Sequence, residues 1–435
     1  MNTKTRYLLL LAGFIVFLLI APLIILYISG ITFDYQSKSF IRTGILAVRS
    51  DPANAEIFVN GKLALTRQGD VKFLPAGEYQ LDLKKEGYQS WSKRLAVYPG
   101  RVTWANPGFN KVNLFFSQPK IQDLENSVVD FYVNGGRVAY LTAASLVSAA
   151  VSDVKNNLIY PLPQPLDKIL TADDRGNNLI LAQTRDAANL PTIFAFNSST
   201  GKFYNLSGLF NTLPKLQFDA NGNLYALDKN ILYAVDIFKK AKTPVLPNLK
   251  AFYWLEDSLY FIQFDDNQNF SLMTGHSPFK DNQSLLAGLP AIEEGALLVT
   301  FEKQILLLSG GNLFLAGKSM EKLADDITSW NFDHLASSLA VIHSGQLDYY
   351  VSGSPGLNFV TRLSGTINQP MMHTGLAGAF FINDERLVEI ELDTRDNQNQ
   401  NALYQGKNLQ TFWVNSSGTN VLLLDGGELK SLVIR

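Results

Sequence analysis

The sequence predicts an all-β chain held behind a single N-terminal transmembrane helix. Three observations carry this: one uncharged apolar run at the start, turn dipeptides between short alternating strands, and a pattern that returns about every forty residues. Composition agrees. Of the 435 residues only 17% are charged and 11% are aromatic, against roughly 25% charged in an ordinary soluble domain. Helical surfaces carry Glu- and Lys-rich faces, and a chain short of these but rich in Tyr, Phe, Val, Asn and Gly favours strands and turns.

Tyr7 to Ile28 is a run of 22 residues without a charge. As a helix rising 1.5 Å per residue it spans about 33 Å, enough for a hydrocarbon core of roughly 30 Å. Pro22 lies within it, which a membrane helix tolerates because neighbours re-satisfy the backbone. Lys4 and Arg6 precede the run, and no Lys or Arg follows until Lys38. Positive charge stays in the cytoplasm, so residues 1–29 are expected to be a cytoplasmic tip and a signal-anchor helix. Residues 30–43 are read as a linker and everything beyond as extracytoplasmic. The expected partner of Tyr7 to Ile28 is the lipid bilayer. The alternative is a cleaved signal peptide, but its apolar region would be only about 7–15 residues long, and Ile28-Ser29-Gly30 makes a poor cleavage site.

Net charge is −2, unevenly spread: the first 112 residues sum to +7 and the remainder to −9. A mildly basic segment beside the membrane would be drawn to anionic headgroups; the alternative is an ordinary solvated surface whose charge drifts along the chain. The acidic remainder argues against a nucleic-acid partner. The absence of cysteine excludes disulfides, thiolate metal sites and lipid attachment at a Cys.

Residues 44–112 read as a small β-sandwich. Ile45–Val48 and Glu56–Val59 are apolar strands, and Asn60-Gly61 is a type I′ hairpin signal, because that turn needs positive φ at both central positions. Leu74-Pro75-Ala76-Gly77-Glu78 turns again, then Tyr79, Leu81 and Leu83 alternate with polar residues. Glu86-Gly87-Tyr88 is a further turn, and Leu95 and Val97 alternate up to Tyr98-Pro99-Gly100. Such alternation with a turn every 8–12 residues marks a sandwich. Ser50-Asp51-Pro52, Ala55 through Lys62, Leu74 through Tyr79 and Lys85 through Tyr88, with Trp91 and Pro99-Gly100 beyond, make this segment resemble the PEGA-domain family. It departs from the family's Gly-Thr-Thr-Pro-like loop at Leu65-Thr66-Arg67-Gln68. The resemblance implies a non-catalytic β-sandwich of prokaryotic envelope and surface proteins.

Beyond Phe115-Phe116-Ser117-Gln118-Pro119, read as a short linker, residues 117–435 repeat a pattern. An aromatic or apolar strand, a Gly/Asn/Asp turn, two more strands and a polar hairpin follow in order, as in 131–140 and 216–225. The opening recurs near Leu170, Phe252, Ala291, Trp330, Met371 and Phe412. From Phe131 to Phe412 this is 281 residues over seven intervals, and a period near forty is that of a β-propeller blade. Eight blades are expected, with seven as the alternative because the fifth unit is irregular; a solenoid or two sandwiches are the other architectures. The last unit, Leu409 to Arg435, has room for three strands, and its fourth is assigned to residues 117–124. Ala195 through Tyr204 looks like the outer hairpin of WD40- and quinoprotein-type propellers.

Catalytic and metal motifs are missing. His276, His334, His343 and His373 lack ligand spacing, and His343 lies in an apolar strand as a structural residue would. Asp265-Asp266-Asn267-Gln268-Asn269 offers oxygens at alternate positions, but Phe270 stands where a calcium loop wants Gly. This loop and Asp393-Thr394-Arg395-Asp396-Asn397 are read as solvated hairpin loops. Asp173-Asp174 and Glu293-Glu294 are adjacent rather than opposed, unlike an acid/base pair. No catalytic, cofactor or metal residue is assigned and no cofactor is expected. The leading expectation is an envelope binding or scaffold protein presenting propeller loops to a protein or glycan. The alternatives are a glycan hydrolase or lyase with its site in the channel, and a sensor acting through a partner.

Overall fold

The computed structural model describes residues 3–34, 38–107, 111–134, 136–173, 178–185, 190–293, 296–301, 304–333 and 338–435. Helix α1 (Thr3–Ile28) opens the chain. Its stretch Leu9–Ile28, with a mean hydropathy of 3.1, is long and apolar enough to cross a membrane. The helix stops at Gly30, whose φ of 66° is the left-handed cap conformation that glycine adopts without a Cβ penalty. The Gly30 carbonyl then accepts from the backbone N–H and the hydroxyl of Thr43, at 2.8 and 2.7 Å. The stretch expected to be a linker carries a hairpin, β1 (Ile31–Asp34) with β2 (Ser39–Arg42), in which Phe33 faces Phe40.

The small module follows with β3 (Gly44–Val48), β4 (Ser50–Asp51), β5 (Glu56–Val59), β6 (Lys62–Leu65), β7 (Gly69–Leu74), β8 (Gly77–Lys84), β9 (Trp91–Val97), β10 (Val102–Trp104) and β11 (Val112–Asn113). One sheet runs β6-β5-β8-β9 and another β10-β3-β7. Leu46, Val48, Ile57, Leu81, Leu83, Leu95 and Val97 pack into one core. Asn60 and Gly61 take φ of 49° and 75° between β5 and β6, as the type I′ turn requires. The Leu65–Gln68 departure is anchored locally: Gln68 Oε1 accepts from Ser50 N at 3.2 Å. The parallel pairing of β3 with β10 has no local turn signal, which is why the sequence does not announce it.

The rest is a closed ring of eight four-stranded antiparallel sheets. Their first strands are Val128–Asn134, Lys168–Asp173, Lys215–Phe218, Leu249–Leu255, Leu297–Phe301, Ile327–Asp333, Ile367–His373 and Leu409–Val414. The fifth begins six residues after the expected Ala291; Pro290 interrupts the chain there, and Ile292 packs into the core between blades instead. The eighth sheet is completed by β12 (Lys120–Glu125), which pairs antiparallel with Glu428–Val433, Lys120 opposite Val433. The first and last strands of the propeller thus share a blade, leaving no open end to the ring.

Packing explains the sequence pattern. Each blade contributes to two seams, so its second strand is buried on both faces and reads as an unbroken apolar run. In Leu179-Ile180-Leu181-Ala182, Leu179 and Leu181 pack toward the third blade, while Ile180 and Ala182 pack toward the first. Phe381 and Phe380 divide in the same way between the sixth and eighth blades. Every seam holds such a cluster, the last joining Val128 and Tyr140 to Leu422 and Leu424. Burying one Leu or Phe contributes roughly 1.5–3 kcal/mol, so the ring is held by eight comparable seams.

Candidate functional site

Two places bring polar groups together: the junction between the small module and the seventh blade, and the inner face of the ring. At the junction β9 is the edge of its sheet, an exposed ladder that proteins normally cover. The loop between Arg386–Glu391 and Gln400–Gln405 of the seventh blade covers it with side chains. Ser92 N donates to Asn399 Oδ1 at 3.1 Å, Asn399 Nδ2 returns a bond to Ser92 O at 3.1 Å, and Arg94 N donates to Asp396 Oδ2 at 2.6 Å.

Trp91 Nε1 donates to Glu391 Oε2 at 2.7 Å. Lys93 is fully buried, and its ammonium meets Glu391 Oε1, Asp393 Oδ2 at 3.3 Å and Asp393 O at 2.7 Å. Arg395 closes the cluster, bonding the Trp104 and Ala105 carbonyls at 3.0 and 2.8 Å and the Asp393 carboxylate at 2.7 Å. Burial works against ionising Asp393, but the Arg395 hydrogen bonds and the Lys93 charge prevail and hold its carboxyl below the ordinary value. Behind it, burial pushes the Glu389 carboxyl up to about 8 despite a hydrogen bond from Asn401 Nδ2, and the nearby Glu391 adds to the rise.

A second clamp uses the last residue. Arg435 Nη1 donates to Asp51 Oδ2 at 2.8 Å and Asn113 Oδ1 at 2.9 Å. The expected linker is a packed element as well. Phe115 is buried in the seam between blades seven and eight, and Phe116 N donates to Ile434 O at 2.8 Å. These contacts correct two readings: Asp393–Asn397 is a docking loop, not a solvated hairpin, and Phe115–Pro119 is not a free spacer.

On the inner face, polar groups lace neighbouring blades. Asp130 accepts from Ile169 N at 2.8 Å, Asn134 Nδ2 donates to Ala172 O at 3.0 Å, and Gln217 exchanges two hydrogen bonds with the Trp254 backbone. Burial pushes Asp130 up and Lys215 down, the latter to about 8. Lys215 Nζ is buried without a hydrogen-bond partner, 5.6 Å from the Phe252 ring centre. A notch of mixed lining between the first two blades sets Tyr132, Asn134, Arg137 and Asn178 beside the apolar Val138 and Ile180.

The residues weighed in the sequence are scattered. His343 Nε2 pairs with Asp348 Oδ2 at 2.8 Å. His373 Nδ1 accepts from Leu376 N at 3.2 Å while Nε2 sits 2.9 Å from Asn415 O, which gives the ring a capping role. His276 lies 3.1 Å from Asp257 O, and His334, Asp174 and Glu294 fall outside the described residues. Asp265 satisfies itself: Oδ1 accepts from Asn267 N and Asn269 N at 2.9 and 2.8 Å. Asp219 repeats this turn with Asn221 and Asn223. Among the described residues no group of three His, Asp or Glu could hold a metal ion.

The alternating core of β3–β10, the Asn60-Gly61 turn and the Gly87 turn fit one family. Residues 43–113 match the PEGA domain. The PEGA domain occupies the junction side of the molecule, and the ring beside it has the fold of a WD40 propeller. The C-terminal WD40 domain of Sif2 is similar at a TM-score of 0.50 and 12% identity, over 73% of this chain and 99% of that one. The Dos1 propeller (TM-score 0.48, 10% identity, 73% and 94% covered) and a eukaryotic initiation factor (0.48, 11%, 71% and 86%) are also similar. No curated protein matches in sequence.

Sequence reasoning missed the junction, although one signal was present. In Trp91-Ser92-Lys93-Arg94-Leu95-Ala96-Val97 the lysine stands at an inward position of an alternating strand. An inward lysine needs a buried partner.

Proposed function

We propose that this chain is a membrane-anchored scaffold of the cell envelope, whose propeller presents loops to a protein or glycan partner outside the cytoplasm. One observation carries the reading: a continuous bonded path leads from the end of α1 to the ring. Gly30 is bonded to Thr43, and the PEGA core leads through β9 to Glu391 and Asp393 of the seventh blade. A helix, pedestal and propeller joined in this way hold the propeller at a set attitude to the bilayer. Rigid blades then present variable loops on one face. On the inner face Asp130, Asn134 and Gln217 are used in lacing blades together, which supports binding over catalysis.

The test is cross-linking of the full-length protein in its native envelope, followed by identification of what is captured. A discrete envelope partner, captured by the wild type and lost on Tyr132→Ala with Arg137→Ala in the notch, is expected. Cleavage of envelope glycan by the purified protein would contradict the reading.

A further inference from the structure

The hairpin β1–β2 and the adjoining end of the PEGA domain form an aromatic, basic face beside the helix terminus. Side chains alternate across a strand, so Ile31, Phe33, Phe40 and Arg42 share one face of the hairpin. Phe33 and Phe40 stack edge-on with centroids 5.3 Å apart, yet Phe40 remains 65% exposed and Phe33 42%. Tyr98 and Val102, on the neighbouring turn and strand, are also exposed. Lys38, Arg42 and Arg101 are exposed cations of the same end. Arg42 lies so close over Gly100 that a side chain there would collide with its guanidinium.

This face is tied to the helix. The Tyr27 ring of the last helical turn packs 4.9 Å from Phe73. Phe73 holds a φ of 59°, a strained value for a bulky side chain. Phe33 is three residues past Gly30, so at about 3.3 Å per residue its Cα stays within about 10 Å of the helix end. The headgroup layer is roughly 5–7 Å deep on each side. An upright hairpin would carry the ring beyond that layer, and a flat one keeps it inside.

We propose that this face lies on the bilayer, with Phe33 and Phe40 seated at the interface and Lys38, Arg42 and Arg101 on anionic headgroups. The proposal rests on the reading of α1 as a membrane span. Aromatic rings favour the interfacial layer, and juxtamembrane cations are drawn to anionic lipid.

The chain has no cysteine, so single nitroxide labels can be placed on the full-length protein in vesicles. Labels at Phe40→Cys, Leu18→Cys and Phe359→Cys are compared in phosphatidylcholine with and without one-quarter phosphatidylglycerol. Collision with oxygen and with a water-soluble nickel chelate reports depth. The label at 40 is expected to favour oxygen and to move deeper with phosphatidylglycerol; Lys38→Gln with Arg42→Gln and Arg101→Gln abolishes that shift. The label at 18 should read hydrocarbon and that at 359 water. A label at 40 that reads like 359 while 18 reads hydrocarbon overturns the proposal and leaves the anchor standing. A label at 18 that reads water overturns both. Equal depth at 40 in the two lipid mixtures contradicts the anionic contact.

Discussion

Lys93 of the PEGA domain and Glu391 of the seventh blade form a buried ion pair across the junction. The lysine side chain has no solvent exposure, and Asp393 supplies the second carboxylate. Charges of this kind survive burial only when every donor is used. Here the ammonium has three oxygen partners, while Glu391 also accepts from Trp91 and Asn399.

Replacing Lys93 with Met therefore leaves the Glu391 carboxylate at the junction without its cation, while Asp393 keeps only Arg395. A loss of about 3–5 kcal/mol is expected, read as a fall in denaturation midpoint. Adding Glu391→Gln should restore part of it, because the pair is coupled. Equal additive losses would show that the contact is not an ion pair in solution.

Glu389 makes the protein's stability depend on pH. Its folded carboxyl is pushed from 4.5 up to about 8, so between those values the folded state binds the extra proton. Stability is then greatest below pH 4.5 for this group and falls as pH rises toward 8. Glu389→Gln keeps an acceptor for Asn401 and is expected to stabilise by roughly 1 kcal/mol or more at pH 8. Melting curves of both proteins at pH 5 and pH 8 check this; the difference should shrink at the lower pH.

Much of the fold was legible in the sequence. The eight-fold period shows because each blade must bury both faces, which forces runs such as Val421-Leu422-Leu423-Leu424 at regular intervals. The missing fourth strand showed as a unit ending at Arg435 and a spare segment near Lys120. The junction did not show. An Asp- and Asn-rich loop such as 393–397 has the same composition whether water or a PEGA strand satisfies it, and 300 residues separate Lys93 from Asp393. Phe115-Phe116 likewise looked like a spacer because its partners, Phe380 and Ile434, lie at the far end of the chain.

Gly61 has open space around the position of a Cβ, so only its φ of 75° opposes substitution. Gly61→Val is expected to cost about 1 kcal/mol or more, whereas Gly61→Asn is tolerated. Amide exchange across Glu56–Leu65 should accelerate about fivefold or more in the valine variant. Unchanged exchange would argue against the type I′ turn.

Ending the chain at Asn408 removes three strands of the eighth blade and leaves β12 unpaired. Both adjoining seams lose buried side chains: Leu422, Leu424 and Leu429 from one, and half of the other, including Val414, Leu423 and Leu432. Cooperative unfolding of the whole ring is expected to be lost. A truncated protein that stays monomeric with a nearly native melting temperature would contradict closure through the two ends.

Placement of the propeller outside the membrane is tested most directly by cysteine accessibility in intact cells. Thr200 sits on an exposed turn of the second blade, and the chain has no other thiol to label. A membrane-impermeant maleimide should modify Thr200→Cys without permeabilisation and Thr3→Cys only after it. Labelling of Thr200→Cys only after permeabilisation would contradict the extracytoplasmic scaffold.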